Sequence, residues 1–284
     1  MKVFINDKFV DSVQATVSVW DHGFLYGDGV FEGIRAYNGK IFKLEEHLQR
    51  LYNSAKSLLI SIPMTMEEMA LKTKEALKIN EVKDAYIRIV VSRGNGDMGI
   101  DPRKCTGNAT VVIIADKINL YPEKVYETGL SIITAATKKL PVSVFSPQIK
   151  SLNYLPNIKA KQEAINAQAD EALLLTSEGY VTECTTENIF VIKDGVLFTP
   201  PIYLGLLEGV TRNTVIEIAN KNSISFEERV FSTHDIYIAD ECFVTGTGAE
   251  ILPVIKLDGR TIGDGKPGII TKRILTEYRK TVNS

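Results

Sequence analysis

Lys150-Ser151-Leu152-Asn153-Tyr154-Leu155-Pro156-Asn157 is a stretch of the chain that neither a helical nor a strand period explains. Pro147 and Pro156 bracket the lysine. Leu155 precedes a proline and is pushed away from helical angles. A lysine held on an ordered turn among Leu152, Tyr154 and Leu155 is partly desolvated. Desolvation lowers an amine's pKa and frees its lone pair for Schiff-base chemistry. The bland alternative is a solvated surface lysine, and by residue type alone it is the commoner case.

Upstream, Val3-Phe4-Ile5 and Phe9-Val10 flank Asn6-Asp7-Lys8 and read as a hairpin. Residues 30–37 read as a strand, and Asn38-Gly39 returns it through a type I′ turn into Ile41-Phe42. From Leu44 the apolar period becomes helical through Leu48, Leu51, Ala55 and Leu58. Thr65-Met66-Glu67-Glu68 fits a capping box and opens a second helix towards Ile79. On the strand over 86–92, Tyr86, Arg88 and Val90 share one face and Ile87, Ile89 and Val91 the other. A glycine-rich loop and a strand over 110–115 follow. The polar segment Asp116 to Glu123 contains a proline and suits a linker.

Downstream, strands are expected over 130–136, 172–176, 185–191, 196–199 and 242–245. Helices are expected over 157–169 with Asn157 as N-cap, over 210–220, and from about 268 to 278. The expected class is α+β with two domains. Residues 1–117 form a small N-terminal domain, 118–125 a linker, and 126–284 a larger, more β-rich domain.

The chain has 284 residues, of which 44% are hydrophobic and 24% charged, so it can bury a core. A net charge of −2 does not attract nucleic acid. No apolar run approaches the ~20 residues that span a bilayer. The N-terminal MKVFINDKFVDS turns polar too soon for a secretory signal. Cys105, Cys184 and Cys242 form no CxxC pair, so no metal site and a reducing cytoplasmic setting are the expectation.

Three further segments carry chemistry. Glu183, in Val181-Thr182-Glu183-Cys184-Thr185-Thr186-Glu187-Asn188, stands at a turn-to-strand boundary where a buried carboxylate could keep a ring nitrogen protonated. Leu207-Glu208-Gly209-Val210-Thr211-Arg212 runs into a helix, whose first amides can form an anion cup. Val244-Thr245-Gly246-Thr247-Gly248-Ala249-Glu250 ends a strand in hydroxyls and glycines, which lets backbone approach a ligand. Each alone has an ordinary structural explanation: a strand-end glutamate, a plain helix start, a turn.

Together, in this order, these segments resemble the fold type IV family of pyridoxal phosphate enzymes, and within it the branched-chain amino acid aminotransferases. The matching text is K-x-x-x-Y at Lys150 to Tyr154, E-x-x-x-E-N at Glu183 to Asn188, then G-V-T-R and T-G-T-G-A-E. Tyr26-Gly27-Asp28-Gly29-Val30-Phe31-Glu32-Gly33-Ile34-Arg35 agrees with it. The resemblance implies a small α+β domain, and a larger one with a β-barrel-like core and surrounding helices. It implies pyridoxal 5'-phosphate as cofactor. Lys150 would carry the Schiff base and move the proton, and Glu183 would pair with the pyridinium nitrogen. Tyr154 would donate to the phenolic oxygen, although it stands one residue closer to the lysine than in many branched-chain enzymes. Arg50, Val210, Thr211 and Thr247 would hold the phosphate. By helical phase alone Arg50 would be a solvated arginine.

For substrate, the resemblance implies Phe31 lining an apolar pocket and Tyr86, Arg88, Arg35 and Tyr26 recognising carboxylate. Thr247 and Gly248 would add contacts, and the Met98-Gly99-Ile100 loop would reach a neighbouring subunit's site. The expected partners are small amino and 2-oxo acids and a second copy of the chain, without nucleic acid or membrane. D-amino acid transaminases and aminodeoxychorismate lyase share the same frame and are the alternatives. A catalytically silent binding protein is the alternative of another class, and the presence of both Lys150 and Glu183 argues against it. Borohydride reduction of the cofactor-loaded protein is expected to fix the cofactor on Lys150. Peptide mapping checks this, and an adduct on Lys159 or Lys161 would remove the assignment.

Overall fold

The computed structural model describes residues 1–117 and 121–283. The chain divides into two compact units, Met1–Asn119 with Ile149–Asn153, and Leu120–Gln148 with Tyr154–Ser284. Of the linker expected over 118–125, residues 118–120 lie outside the described residues, and Glu123 already opens a helix.

The first unit runs β1 (Lys2–Ile5), β2 (Lys8–Asp11), α1 (His22–Tyr26), β3 (Gly29–Tyr37), β4 (Lys40–Ile41), α2 (Leu44–Ser57), α3 (Met66–Ile79), β5 (Ala85–Ser92) and β6 (Thr110–Lys117). Its six strands form one antiparallel sheet in the order β2-β1-β6-β5-β3-β4. Both hairpin turns use left-handed residues: Asn6 has φ 59°, and Asn38 and Gly39 have φ 50° and 83°. The last pair fits the type I′ turn that Asn-Gly favours. β5 alternates as its sequence dictates, with Ile87, Ile89 and Val91 fully buried. They join Val30 and Ile34 of β3, Leu48 and Leu51 of α2, and Met69 and Ala76 of α3 in one core.

The second unit runs α4 (Glu123–Thr128), β7 (Leu130–Thr134), α5 (Leu155–Asn166), β8 (Glu171–Leu175), β9 (Val181–Cys184), β10 (Asn188–Lys193), β11 (Val196–Thr199), α6 (Val210–Lys221), β12 (Phe226–Glu228), α7 (Thr233–Tyr237), β13 (Glu241–Gly246), β14 (Glu250–Leu257), β15 (Arg260–Thr261) and α8 (Ile269–Asn283). Pairing follows β10-β13-β14-β7-β8-β9, and β9 returns to β10 through Asn188 opposite Glu183. Six strands therefore close on themselves, the barrel core that the resemblance implied, and closure removes the open edges. Ala160 and Ala164 of α5 pack against Ala135, Ala172 and Leu174, small side chains that let helix and sheet approach closely.

Two local expectations change. The helix expected from Asn157 starts at Leu155 and takes Pro156 into its first turn, where a missing N–H costs nothing. Asn157 is consequently not the cap, and its Nδ2 donates instead to Thr185 O at 2.6 Å. The strand expected over 185–191 starts only at Asn188, because Cys184 N–H donates to Glu187 O at 2.7 Å and folds 185–187 into a tight turn; β9 before that turn has no counterpart among the expected strands. β14 has no counterpart among the expected strands, since its sequence mixes Pro253 and Lys256 into an apolar run and shows no clear period.

The capping box at α3 is present, with Glu68 N–H donating to Thr65 Oγ1 at 3.2 Å and Thr65 N–H to Glu68 Oε2 at 2.7 Å. Thr65→Ala is expected to cost about 1 kcal/mol in urea unfolding. Met69→Ala, one turn on and fully buried, is expected to cost about 2–5 kcal/mol, because it adds a cavity to the lost burial. Equal effects would mean that the helix start is held by something other than its cap.

Candidate active site

In the first unit the Lys150 segment becomes an added extended piece beside β3. Phe31 N–H donates to Lys150 O at 3.0 Å, Leu152 N–H donates to Gly29 O at 2.9 Å, and Val30 bridges Ser151. Successive β3 side chains then point to opposite faces. Phe31, Gly33 and Arg35 share a face with Val90, Arg88 and Tyr86, their register partners on β5. The Lys150 Nζ lies 4.9 Å from the Phe31 ring centroid, and the Arg88 guanidinium lies 4.6 Å from the same centroid. Arg88 Nη2 donates to Tyr86 Oη at 3.1 Å. Burial pushes the Tyr86 phenol above its ordinary value, so it stays a neutral donor. An amine, a guanidinium, a phenol and an apolar ring are thus gathered at one place.

On the other face of β3, Glu32 is fully buried against α2. Arg50 Nε and Nη2 donate to its two oxygens at 2.7 and 2.8 Å, and His47 Nδ1 lies 2.8 Å from Oε2. Burial alone would raise the Glu32 carboxyl. The Arg50 charge and the hydrogen bonds from Arg50 and His47 outweigh it and hold the carboxyl well below the usual range. Burial also lowers His47, against the pull of Glu32. Arg50 was expected to be solvated by helical phase, yet its side chain is only 14% exposed. Phase measures direction from the helix axis and not the reach of a long side chain.

In the second unit Glu183 is buried where β9 ends. Lys139 forms an ion pair with its Oε1. Leu207 N–H donates to Oε2 at 3.0 Å, and Asn188 Nδ2 donates to it at 3.4 Å. A carboxylate offers about four lone-pair sites, and the described residues take up three of them. α6 starts at Val210 with Gly209 as N-cap, a residue with no side chain to cap its amides. Gly209 permits this start, since a Cβ there would stand 2.1 Å from Asn188 Oδ1. Thr211 is buried in the first turn, and the buried Thr245 hydroxyl has no hydrogen-bond partner among the described residues. Thr247 and Gly248 lie on the turn between β13 and β14. Tyr154 is half-buried just before α5.

Elsewhere in the first unit, Tyr26 Oη donates to Met98 O, and Arg35 stacks 4.4 Å above the Tyr37 ring. Met98 and Ile100 are 71% and 84% exposed. Cys184, in the second unit, is buried, and burial lifts its thiol well above the ordinary value, which favours the protonated form. Sequence reasoning missed Glu32, His47, Lys139 and Asn188. Glu32 and Asn188 stood inside the quoted motifs, and only their partners were invisible. Among the described residues no group of side chains could hold a metal ion, and no helix is long and apolar enough to cross a membrane.

Each unit by itself offers groups that suit part of a phosphorylated pyridine aldehyde. In the first, Lys150 offers an amine to a carbonyl; in the second, Glu183 offers an acceptor to a protonated ring nitrogen. The α6 amides and the Thr245 hydroxyl offer donors to a phosphate.

Residues 29–257 match the family described as Amino-transferase class IV, and the chain belongs to that family. A Methanocaldococcus jannaschii protein, named provisionally as a branched-chain-amino-acid aminotransferase, is 51% identical over 98% of this chain and 96% of its own length. A T.th. branched-chain amino acid aminotransferase with pyridoxamine 5'-phosphate superposes with a TM-score of 0.95. It is 38% identical and covers 99% of this chain and 93% of its own. A D-alanine aminotransferase of Bacillus licheniformis is 36% identical over 100% of this chain and 98% of its own length.

The Glu32 cluster makes a pH-dependent contribution to stability. Its folded value lies below the ordinary 4.5, so between the two the unfolded chain binds the proton more readily. The contribution is full above about 4.5 and is lost as pH falls through the depressed value. Glu32→Gln is expected to cost roughly 3–5 kcal/mol at neutral pH, the range for breaking a buried pair. The gap to wild type should narrow as pH drops below about 4.5. Denaturant unfolding at several pH values checks this, and a gap independent of pH would show that the charge is not what stabilises.

Proposed function

We propose that this chain is a pyridoxal phosphate-dependent transaminase. It exchanges the amino group between L-leucine, L-isoleucine or L-valine and 2-oxoglutarate, in branched-chain amino acid biosynthesis in the cytoplasm. The observation that carries the reading is the Arg88 guanidinium between the Phe31 ring and the Tyr86 phenol, with the Lys150 amine over the same ring. An apolar wall with one cation at its edge accepts a branched aliphatic side chain in one half-reaction and a distal carboxylate in the other. The branched-chain names of the M. jannaschii and T.th. relatives support the same choice.

Bound pyridoxal phosphate supplies the carbonyl that takes the amino group and the ring that takes up the electron pair released at Cα. The chain does the rest. Lys150 would hold the cofactor through its amine and, once released, would carry the proton taken from and returned to Cα. Glu183 keeps the proton on the ring nitrogen, and Lys139 keeps Glu183 in place. Tyr154 donates to the phenolic oxygen. Arg50, the amides of Val210 and Thr211, and Thr247 hold the phosphate. Tyr86 and Arg88 orient the substrate carboxylate, helped by Arg35, Tyr26 and Gly248.

The reading includes at least a homodimer, in which Met98 and Ile100 are covered by, and serve, a second copy. Val13, Trp20 and Phe24 of the same unit are also exposed, and a second copy that covered them would remove their apolar surface from water. The reading keeps two domains over 1–117 and 126–284 with a linker over 118–125, except that Ile149–Asn153 groups with the first.

The decisive assay is amino transfer from L-leucine to 2-oxoglutarate, with D-alanine in parallel. Turnover of L-leucine and not D-alanine is expected. The reverse preference would assign the chain to the D-amino acid branch. In the same assay Glu183→Gln is expected to lose about 10²–10³ in rate, as for one preorganised electrostatic partner.

A further inference from the structure

β3 places a glycine, Gly33, directly opposite Arg88. Its backbone is ordinary strand, so no positive φ demands glycine there. The demand comes from a neighbour. A Cβ on Gly33 would stand 2.0 Å from Tyr86 Oη, 2.7 Å from Tyr86 Cζ and 3.3 Å from Cε2. Tyr86 is the register partner of Arg35, but Arg35 leans towards Tyr37 instead. The Tyr86 ring therefore crosses diagonally over Gly33, within the reach of such pairs in an antiparallel sheet. In that seat its phenol oxygen accepts from Arg88, and its own O–H is left to donate onward. Arg88 is confined from two sides, 5.4 Å from the Tyr86 centroid and 4.6 Å from that of Phe31.

We propose that Gly33 is a specificity-determining position: its missing side chain seats the Tyr86 ring so that phenol and Arg88 guanidinium together receive a substrate carboxylate. This rests on the reading that Tyr86 and Arg88 face the substrate. A methyl at position 33 meets the far end of a tyrosine side chain, which can swing aside without moving the sheet. The cost therefore falls on recognition and not on folding. Strand stability would favour a side chain at this position, so glycine here serves the phenol's place.

The test is a cycle of Gly33→Ala, Tyr86→Ala and the double variant in the cofactor-loaded enzyme. It reads KM for 2-oxoglutarate, the dissociation constant of 4-methylpentanoate as an unreactive carboxylate probe, and thermal midpoint. Gly33→Ala is expected to raise both constants about tenfold, the scale of one lost hydrogen bond to a charged group, without lowering the midpoint. Tyr86→Ala is expected to raise them at least as much. Gly33→Ala is expected to add less than about twofold on top of it, because residues acting through one contact are not additive. Independent, multiplying effects, or a Gly33→Ala enzyme with wild-type constants, would overturn the proposal while the carboxylate reading stands. Wild-type constants in Tyr86→Ala would overturn that reading itself and the proposal with it. Should Gly33→Ala alone be insoluble, a soluble double variant that matches Tyr86→Ala shows the ring to be what the methyl strikes. An insoluble double variant places the fault in the backbone and overturns the proposal.

Discussion

The eight-pair antiparallel register between β3 and β5, from Gly29 opposite Ser92 to Ala36 opposite Ala85, is the constraint on which the first unit depends. Side chains alternate with a period of two, so a slip of one residue would exchange the faces of a whole strand. In the observed register Ile87, Ile89 and Val91 meet Ile34 and Val30 in the core, while Tyr86 and Arg88 meet Phe31 and Gly33 on the other side. The hydrophobic effect pins the first set, at about 1.5–3 kcal/mol for each fully buried aliphatic side chain. The chemistry-bearing set is carried along with it. Stability and site geometry are thereby set by one alignment.

Glu32 and Glu187 show how context decides the behaviour of one residue type. Both are buried acids, and burial raises each. Glu32 has a guanidinium gripping both oxygens, and its carboxyl ends far below the ordinary value. Glu187 faces the Glu171 charge, with Thr186 as its close hydrogen-bond donor, and is pushed up to about 7. Arg50 is therefore held midway along α2 by a carboxylate that stays ionised over the physiological range. Glu171 is engaged separately, by Lys161 at 2.8 Å. Desolvation and the Glu171 charge outweigh Thr186 and the Lys161 charge at Glu187, whereas a bidentate cation is the stronger effect at Glu32.

The second unit meets a different constraint. A sheet that closes on itself has no exposed edge, and closure here depends on the short turn at 185–187 bringing Asn188 back beside Glu183. The same Asn188 donates to Glu183 and to Leu207 O at 2.9 Å. One amide therefore ties the β9–β10 turn to the approach of α6. Gly209 can start that helix only because it lacks a Cβ that would strike this amide.

The sequence by itself determined the elements whose signals are local. The period of β5, the capping box of α3, the Asn38-Gly39 turn and the apolar stripe of α2 follow from residues within a few positions of one another. The order of the motifs around Lys150, Glu183, Gly209 and Thr247 sufficed for the family. Only the tertiary structure decided the pairings between distant residues: Arg50 with Glu32, Lys139 with Glu183, and Tyr86 over Gly33. None has a local signature, because each depends on which strand lies beside which. The start of α5 and the break at 185–187 depart from the local reading for a related reason. Local propensity favours a cap at Asn157 and a continuous strand through Thr185 and Thr186, while hydrogen bonds to other segments claim both. A sequence states what each residue can do. Strand register and chain closure select the partner with which it does it.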